Sequence, residues 1–366
     1  MARQKKRIMH IIIGLAALIV SALAAVLVVL PPGGGRLPPC KVPGGLSERT
    51  FVEAEGGKLS LVLLSQNTDN PVLMVCGGGP GIPQYLLEYL YPSALPEEFT
   101  VCYWNYRGTG PAYSKADKAE DMTTAQYIKD AAAVTDYLRK RFSCEKIYIM
   151  GHSFGTYIAL KTVQAFPEKY KAYIAMSQIV NSRKSELLAF NYMKNQYEKA
   201  GNSKMVKQFE KYDMHNSEND YASYCKSGLR DKAMHELGIG TTRSMRSVIT
   251  GIFFPSLKCK AFTQKERINL WKGKFASANY PVSKDTHAFD AERSVSEIEI
   301  PIYFIIGEHD FTCCASLQKE YFSLIKTPQK RMYLFENSAH SPLYEEHDEA
   351  RHALLEIKTL TNSAAD

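Results

Sequence analysis

Three residues far apart in the chain, Ser153, Asp310 and His340, have the types and the order needed for covalent acyl transfer. A serine hydroxyl is a weak nucleophile until a base takes its proton, and the base needs a carboxylate to fix its tautomer. Ser153 is the centre of Gly151-His152-Ser153-Phe154-Gly155, a G-x-S-x-G spacing. A side chain held on so tight a turn needs small neighbours on both sides, so that strand and helix can approach. Asp310 closes Gly307-Glu308-His309-Asp310 and His340 closes Ser338-Ala339-His340; they are read as orienting acid and base. The N–H of Phe154 is the expected oxyanion donor, because the opening N–H groups of a helix have no internal partner. The weaker competing candidates are His152, at the variable position of the turn, His309 and Glu308, which flank the acid, and His347 and His352 on the last helix.

These groups need elements that carry them to one end of a sheet. Ile147-Tyr148-Ile149-Met150 is an apolar run of strand length, and the segment after Ser153 has the spacing of an amphipathic helix. Further strands are expected at Val72 to Cys76, Phe99 to Trp104, Ala172 to Ser177, Ile302 to Ile306 and Met332 to Phe335. A hairpin around Gly56-Gly57 precedes them, pairing Thr50 to Glu55 with Lys58 to Leu64. Thr123-Thr124-Ala125-Gln126 has the capping-box spacing and opens a helix to about Arg141. Helices are also expected at about Ala315 to Ile325 and from about Leu343. Strands alternating with helices imply an α/β fold, a mostly parallel sheet flanked by helices on both faces, with catalytic groups beyond the carboxyl ends of its strands. The pattern breaks between Asn181 and Asp285, which is helical, charged and free of strands and reads as an inserted cap. The expected organisation is a basic stub and transmembrane anchor (1–30), a Pro/Gly linker (31–45), the first part of the core (46–180), the cap (181–285) and the second part of the core (286–366).

At 366 residues, with 45% hydrophobic and 23% charged residues, the chain has the material for a large core and is no disordered segment. Arg3, Lys5, Lys6 and Arg7 precede an apolar run from Ile8 to Leu30, long enough for a transmembrane helix of roughly 20 residues. A cleaved signal, with Ala22-Leu23-Ala24 as its end, is the alternative. The basic flank keeps the N-terminus cytoplasmic and the rest of the chain extracytoplasmic, at the cell membrane. A net charge of +7, with an excess of Lys and Arg from Asn181 to Asp285, suits anionic lipid headgroups or wall polymers. No nucleic-acid motif is present, and the eight cysteines show no zinc-site spacing; Cys225 and Cys259 are a pair that an oxidising compartment allows. Neither metal nor organic cofactor is needed by the chemistry.

From about Leu46 onward the chain resembles the α/β-hydrolase superfamily and, within it, the prolyl iminopeptidase-like branch. That branch has an H-G-G-P-G loop, a D-x-R-G-x-G-x-S stretch and a G-x-S-W-G turn. Here the segments are Gly77-Gly78-Gly79-Pro80-Gly81, Asn105-Tyr106-Arg107-Gly108-Thr109-Gly110-Pro111 and Gly151-His152-Ser153-Phe154-Gly155. The histidine of the first motif is Gly77, the aspartate of the second is Asn105 and the tryptophan after the nucleophile is Phe154. Backbone donors survive these changes, so the resemblance implies an oxyanion hole of Phe154 with Gly79 or Gly78. It also implies cap glutamates that hold a substrate's free amino group, for which Glu186, Glu198 and Glu210 are available; Glu186 and Tyr106 are taken as substrate-binding candidates. The expected activity is hydrolysis of a small peptide or amide through an acyl-enzyme on Ser153. An ester substrate and an inactive fold kept as a surface binding module are the alternatives.

Overall fold

Leu46–Ala54 (β1) and Gly57–Ser65 (β2) form the hairpin, with register from Leu46 opposite Ser65 to Ala54 opposite Gly57, the turn falling where both glycines take positive φ. The computed structural model describes residues 21, 28 and 30–363. Beyond the hairpin come Val72–Cys76 (β3), Thr100–Asn105 (β4), Ile147–His152 (β5), Tyr170–Met176 (β6), Ile302–Gly307 (β7) and Lys330–Phe335 (β8). They build one eight-stranded sheet in the order β1-β2-β4-β3-β5-β6-β7-β8. The hairpin and its β2–β4 edge are antiparallel and every later pairing is parallel. β3, β4, β5 and β7 are buried along their whole length. This is why they read in the sequence as unbroken apolar runs instead of alternating ones.

One face of the sheet packs Cys76, Ile149 and Phe304 with Ile158 and Leu160 of the helix Phe154–Ala165 and Val134 and Leu138 of the helix Thr124–Arg141. The other face packs Val75, Met150 and Tyr303 under Leu354 and Ile357 of the last helix, His347–Ser363. The Thr124–Arg141 helix forms half of the expected box. Thr123 Oγ1 accepts the Gln126 N–H at 3.1 Å, while the Gln126 side chain donates to the buried Asp130 instead of to the cap.

The chain leaves the sheet after β6 and returns at Asp290, which forms an isolated bridge with Asn181, while Ala291 N–H donates to Val180 O at 2.8 Å. Between these points lie helices in two groups. Ser182–Lys199, Ser203–Phe209, Glu218–Cys225 and Gly228–Glu236 pack around their own core of Phe190, Phe209, Tyr224, Met193 and Met234. The later group, with Gln264–Ser277 and Pro281–Ala288, shares the two sheet cores instead, through Phe262 and Leu270 on one side and Tyr280 and Val282 on the other.

Among the described residues no helix is long and apolar enough to cross a membrane. The apolar run 8–30 lies outside the described residues except for Ser21, Val28 and Leu30. The Pro/Gly segment that follows is not a free tether: Gly35 and Arg36 donate backbone N–H groups to Lys260 O, and Arg267 donates to Pro31 O and Gly33 O. Cys225 and Cys259 are both free thiols, Cys225 at the surface and Cys259 in the core beside Phe262.

Candidate active site

β5 runs into its helix through a turn that needs glycine on both flanks. Ser153 sits at φ 54° and ψ −121°, a backbone region that costs a non-glycine residue on the order of 1–3 kcal/mol. A Cβ on Gly155 would lie 1.9 Å from Cys76 O, and one on Gly151 2.5 Å from Thr156 Cα. The strain is held in place by Ser153 N–H donating to Met176 O at 3.1 Å and by Thr156, whose N–H and Oγ1 both donate to Ser153 O.

Asp310 and His340 stand beyond the ends of β7 and β8, and the structure brings them together. His340 Nδ1 is 3.0 Å from Asp310 Oδ2 and 3.1 Å from Oδ1, with both side chains buried. Asp310 Oδ1 also accepts the N–H groups of Thr312 and Cys313 at 2.9 Å. Burial pushes this carboxyl upward, but the adjacent His340 and the donated hydrogen bonds outweigh it and hold Asp310 below the usual carboxylate range. The two loops pack backbone to backbone: a Cβ on Gly307 would meet Ala339 O at 1.9 Å. Ser153 Oγ forms no hydrogen bond to His340 among the described residues. It faces the Cys313 thiol, with which it shares the cavity wall.

The oxyanion loop separates the two glycine candidates. Gly78 N–H is engaged, donating to Gln84 Oε1 at 3.2 Å, whereas the N–H groups of Gly79 and Phe154 have no partner among the described residues. A Cβ on Gly78 would lie 3.3 Å from Ser153 Cβ, so the loop presses directly on the nucleophile turn. The arrangement is that of a hydroxyl flanked by two free backbone donors, with a carboxylate-bound imidazole on the neighbouring loops. Such a set is chemically suited to acyl transfer.

Two substrate-binding candidates change meaning. Tyr106 is buried away from the cavity: its hydroxyl donates to Gly77 O at 2.9 Å and its ring stacks on Tyr127 at 5.2 Å, so it braces the oxyanion loop from behind. Glu186 does line the cavity, but both its oxygens lie 2.8 Å from Arg230 Nε, so its charge is already matched. Glu198 and Glu210 are not part of the wall. The cavity, about 630 Å³, runs from Ser153 and Gly79 up to Glu186, Tyr221, Lys226 and Arg230 of the first helical group and Lys274 of the second.

Residues outside the Ser153, Asp310 and His340 set hold the site together. His152 Nε2 donates to His340 O at 2.8 Å, Ser177 Oγ donates to the same carbonyl at 3.0 Å, and His152 Nδ1 lies 3.0 Å from Gln84 Nε2. Burial, and then the nearby His340, lower the His152 pKa to about 3, so the ring is neutral. Gln84 fills the space where the family motif carries its histidine: a Cβ on Gly77 would lie 3.0 Å from Gln84 Cβ. Lys274 Nζ donates to Gly79 O and Pro80 O at 3.0 and 3.1 Å, and burial lowers its pKa to about 8. A histidine beside the nucleophile was the single sequence signal for this network; Gln84, Ser177 and Lys274 gave none.

Residues 71–347 match the alpha/beta hydrolase fold family. The chain belongs to that family. It is 30% identical over 293 residues to a probable aminopeptidase, YbaC, of Bacillus subtilis, which spans 79% of this chain and 89% of that protein. It is 22% identical to the proline iminopeptidase of Heyndrickxia coagulans, over 82% of this chain and 94% of that protein. Among solved structures, the proline iminopeptidase of Mycobacterium smegmatis shares the fold with a TM-score of 0.64 at 16% identity, covering 87% of this chain and all of that one. Within the family this alpha/beta hydrolase sits in the prolyl iminopeptidase-like branch, and it is a hydrolase enzyme.

Proposed function

We propose that the protein is a serine hydrolase that forms an acyl-enzyme on Ser153, held at the cell surface by its N-terminal apolar run. The observation that carries the reading is the buried Asp310–His340 pair at 3.0 Å, set beside a strained Ser153 turn with free N–H groups at Phe154 and Gly79. In this mechanism His340 Nε2 takes the Ser153 proton as Oγ attacks the substrate carbonyl. Phe154 and Gly79 receive the oxyanion, and the imidazolium returns its proton to the leaving amine or alkoxide. Water repeats the cycle on the acyl-enzyme. Asp310 keeps the imidazole in the tautomer that presents a bare Nε2. The Ser153–His340 bond is the part that substrate binding tightens, as is common where catalytic hydrogen bonds are long in the free enzyme.

The relatives named as aminopeptidases favour a small peptide or amide bearing a free amino end. One observation favours an ester instead: among the described residues Glu186 is the one carboxylate of the cavity wall, and Arg230 pairs with it, while Lys226 and Lys274 also line the wall. A hydrolysis screen with aminoacyl naphthylamides, proline included, against short esters separates the two. A fluorophosphonate probe tests the nucleophile: the wild type is labelled and Ser153→Ala is not, with the fold unchanged by circular dichroism. An unlabelled wild type supports the reading as a binding module, and a labelled Ser153→Ala overturns the assignment of the serine.

The topology reading rests on Arg3 to Arg7 ahead of the run Ile8 to Leu30, which places the hydrolase outside. Protease added to intact cells then digests the catalytic domain. Its full protection would reverse the orientation.

A further inference from the structure

We propose that the apolar stripe of the helix Gln264–Ser277, where exposed Ile268 and Phe275 flank a half-buried Trp271, with Ile249 and Phe254 beside it, is the face on which the protein lies against an anionic lipid bilayer. The proposal rests on the anchored reading given above. Gln264, Ile268, Trp271 and Phe275 follow one another at spacings of four, three and four and so share one side of the helix. Phe275 is 71% exposed and Ile268 40%, while Ile249 and Phe254 are 58% and 43% exposed. Phe253 joins the two sets, its ring 4.8 Å from Trp271 and 5.2 Å from Phe254. Large apolar side chains grouped in this way on a surface mark a site of contact.

The occupant follows from where the chain enters and from charge. Gln264 Nε2, at the start of the stripe, donates to Leu30 O at 3.3 Å, and Arg267 holds the next carbonyls, Pro31 O at 2.7 Å and Gly33 O at 3.0 Å. The apolar run 8–30 therefore joins the described chain at this helix, and a bilayer that takes up that run lies next to the stripe. From Arg246 to Lys284 the sequence has eight Lys and Arg against one acidic residue, Glu266, which Arg49 pairs. Lys258, Lys260, Lys265 and Lys272 are exposed and have no carboxylate within ion-pair distance among the described residues. Aromatic side chains rimmed by basic ones are what an interfacial helix presents to anionic headgroups. A second copy on the same face would bring these lysines against their own counterparts, so lipid is the better fit. Off the stripe, the same helix carries Lys274 and Ser277, both bonded to Pro80 O of the oxyanion loop, so contact with lipid also bears on the orientation of the site.

Trp271 supplies the probe, because the one other tryptophan, Trp104, is 1% exposed in the core. The full-length protein is reconstituted in vesicles of phosphatidylcholine and phosphatidylglycerol, in which part of the lipid is brominated near the carbonyl end of its acyl chains. The expected result is loss of Trp271 emission to the brominated lipid, a smaller loss when phosphatidylglycerol is omitted or salt is raised, and none in Trp271→Phe or in Phe254→Asp/Phe275→Asp. Flotation with the vesicles but no quenching leaves the anchor standing and overturns the lipid-facing stripe. No flotation overturns both. Because Trp271 is already half-buried in its own chain, only a shielding from aqueous acrylamide that grows with protein concentration, without lipid quenching, overturns the proposal and gives the face to a second copy. Quenching that persists in Trp271→Phe would come from Trp104 in unfolded protein and also counts against the proposal.

Discussion

The two walls of the cavity are held in different ways. On the sheet side each working group is fixed by several short-range constraints: Ser153 by a turn that no larger neighbour permits, and Asp310 by two backbone N–H groups and His340. The carbonyl of His340 is held by donors from two further strand ends. On the cap side Glu186 and Arg230 meet across 2.8 Å, and Tyr221, Cys225 and Lys226 stand on a helix, Glu218–Cys225, or at its end. The sheet wall is thus built for one chemistry, while the helical wall is free to change which substrate that chemistry meets.

The largest effect that tests this contrast is expected at Asp310. Asp310→Asn keeps the shape but presents an amide that lets the His340 imidazole take the wrong tautomer, and kcat is expected to fall by about 10⁴-fold with little change in KM. Steady-state kinetics on whichever substrate the screen finds reads this out. A loss confined to KM would move Asp310 from the reaction to substrate binding.

A smaller effect is expected on the other wall. Arg230→Gln frees the Glu186 carboxylate inside the cavity, and a free carboxylate favours a substrate with an ammonium group. Arg230 is partly exposed and solvent screens it, so the preference for an aminoacyl amide over a neutral ester, measured as a ratio of kcat/KM, is expected to rise about tenfold, or about 1.4 kcal/mol. The thermal midpoint falls at the same time, because one partner of a half-buried pair is lost. An unchanged ratio would mean that Glu186 does not face the bound substrate.

What the sequence made legible follows the same division. β3, β5 and β7 are read from their apolar runs because both faces of each are covered, and the serine turn is read because its geometry excludes all but glycine at its flanks. β6 begins two residues earlier than its apolar run suggests: Lys171 points outward and interrupts the pattern, although Tyr170 is already buried and paired. The helix Gln84–Leu90 escaped the reading, and with it Gln84, since a glutamine at a helix start has no pattern of its own. The split of the cap also escaped it. Whether a charged amphipathic helix buries its stripe in a private core, as Phe190 does, or in the main one, as Leu270 does, depends on distant partners and not on local spacing. That Tyr106 turns away from the cavity was not legible, because nothing in a loop sequence shows which way a tyrosine hydroxyl points.

The last test addresses His152, which links the two sheet-side loops and is neutral because it is buried. Its pKa in the folded protein is about 3, against an ordinary value of 6.5. Between these values the unfolded chain holds a proton that the folded one does not, so protonation favours unfolding. The sign is therefore fixed: the His152 contribution is complete above pH 6.5 and is lost as the pH falls toward 3, by about 1.4 kcal/mol per pH unit as an upper slope. Asp310, also held below its ordinary value, adds a loss of the same sign, but only below its unfolded value of 3.8. The window from pH 6 to 4.5 is thus clear of that carboxylate. His309, lowered by partial burial and the nearby Arg243, adds a weaker term there. The buried carboxyls Glu88 and Glu345, both raised by burial, contribute with the opposite sign in the same window and do so in either protein. Urea unfolding across that window is therefore expected to show stability changing less favourably with falling pH in the wild type than in His152→Gln, whose amide keeps a donor for His340 O without a titrating ring. Equal slopes in the two proteins would mean that His152 is solvated enough to accept its proton, and that the buried bridge between Gln84 and His340 does not hold the base loop in solution.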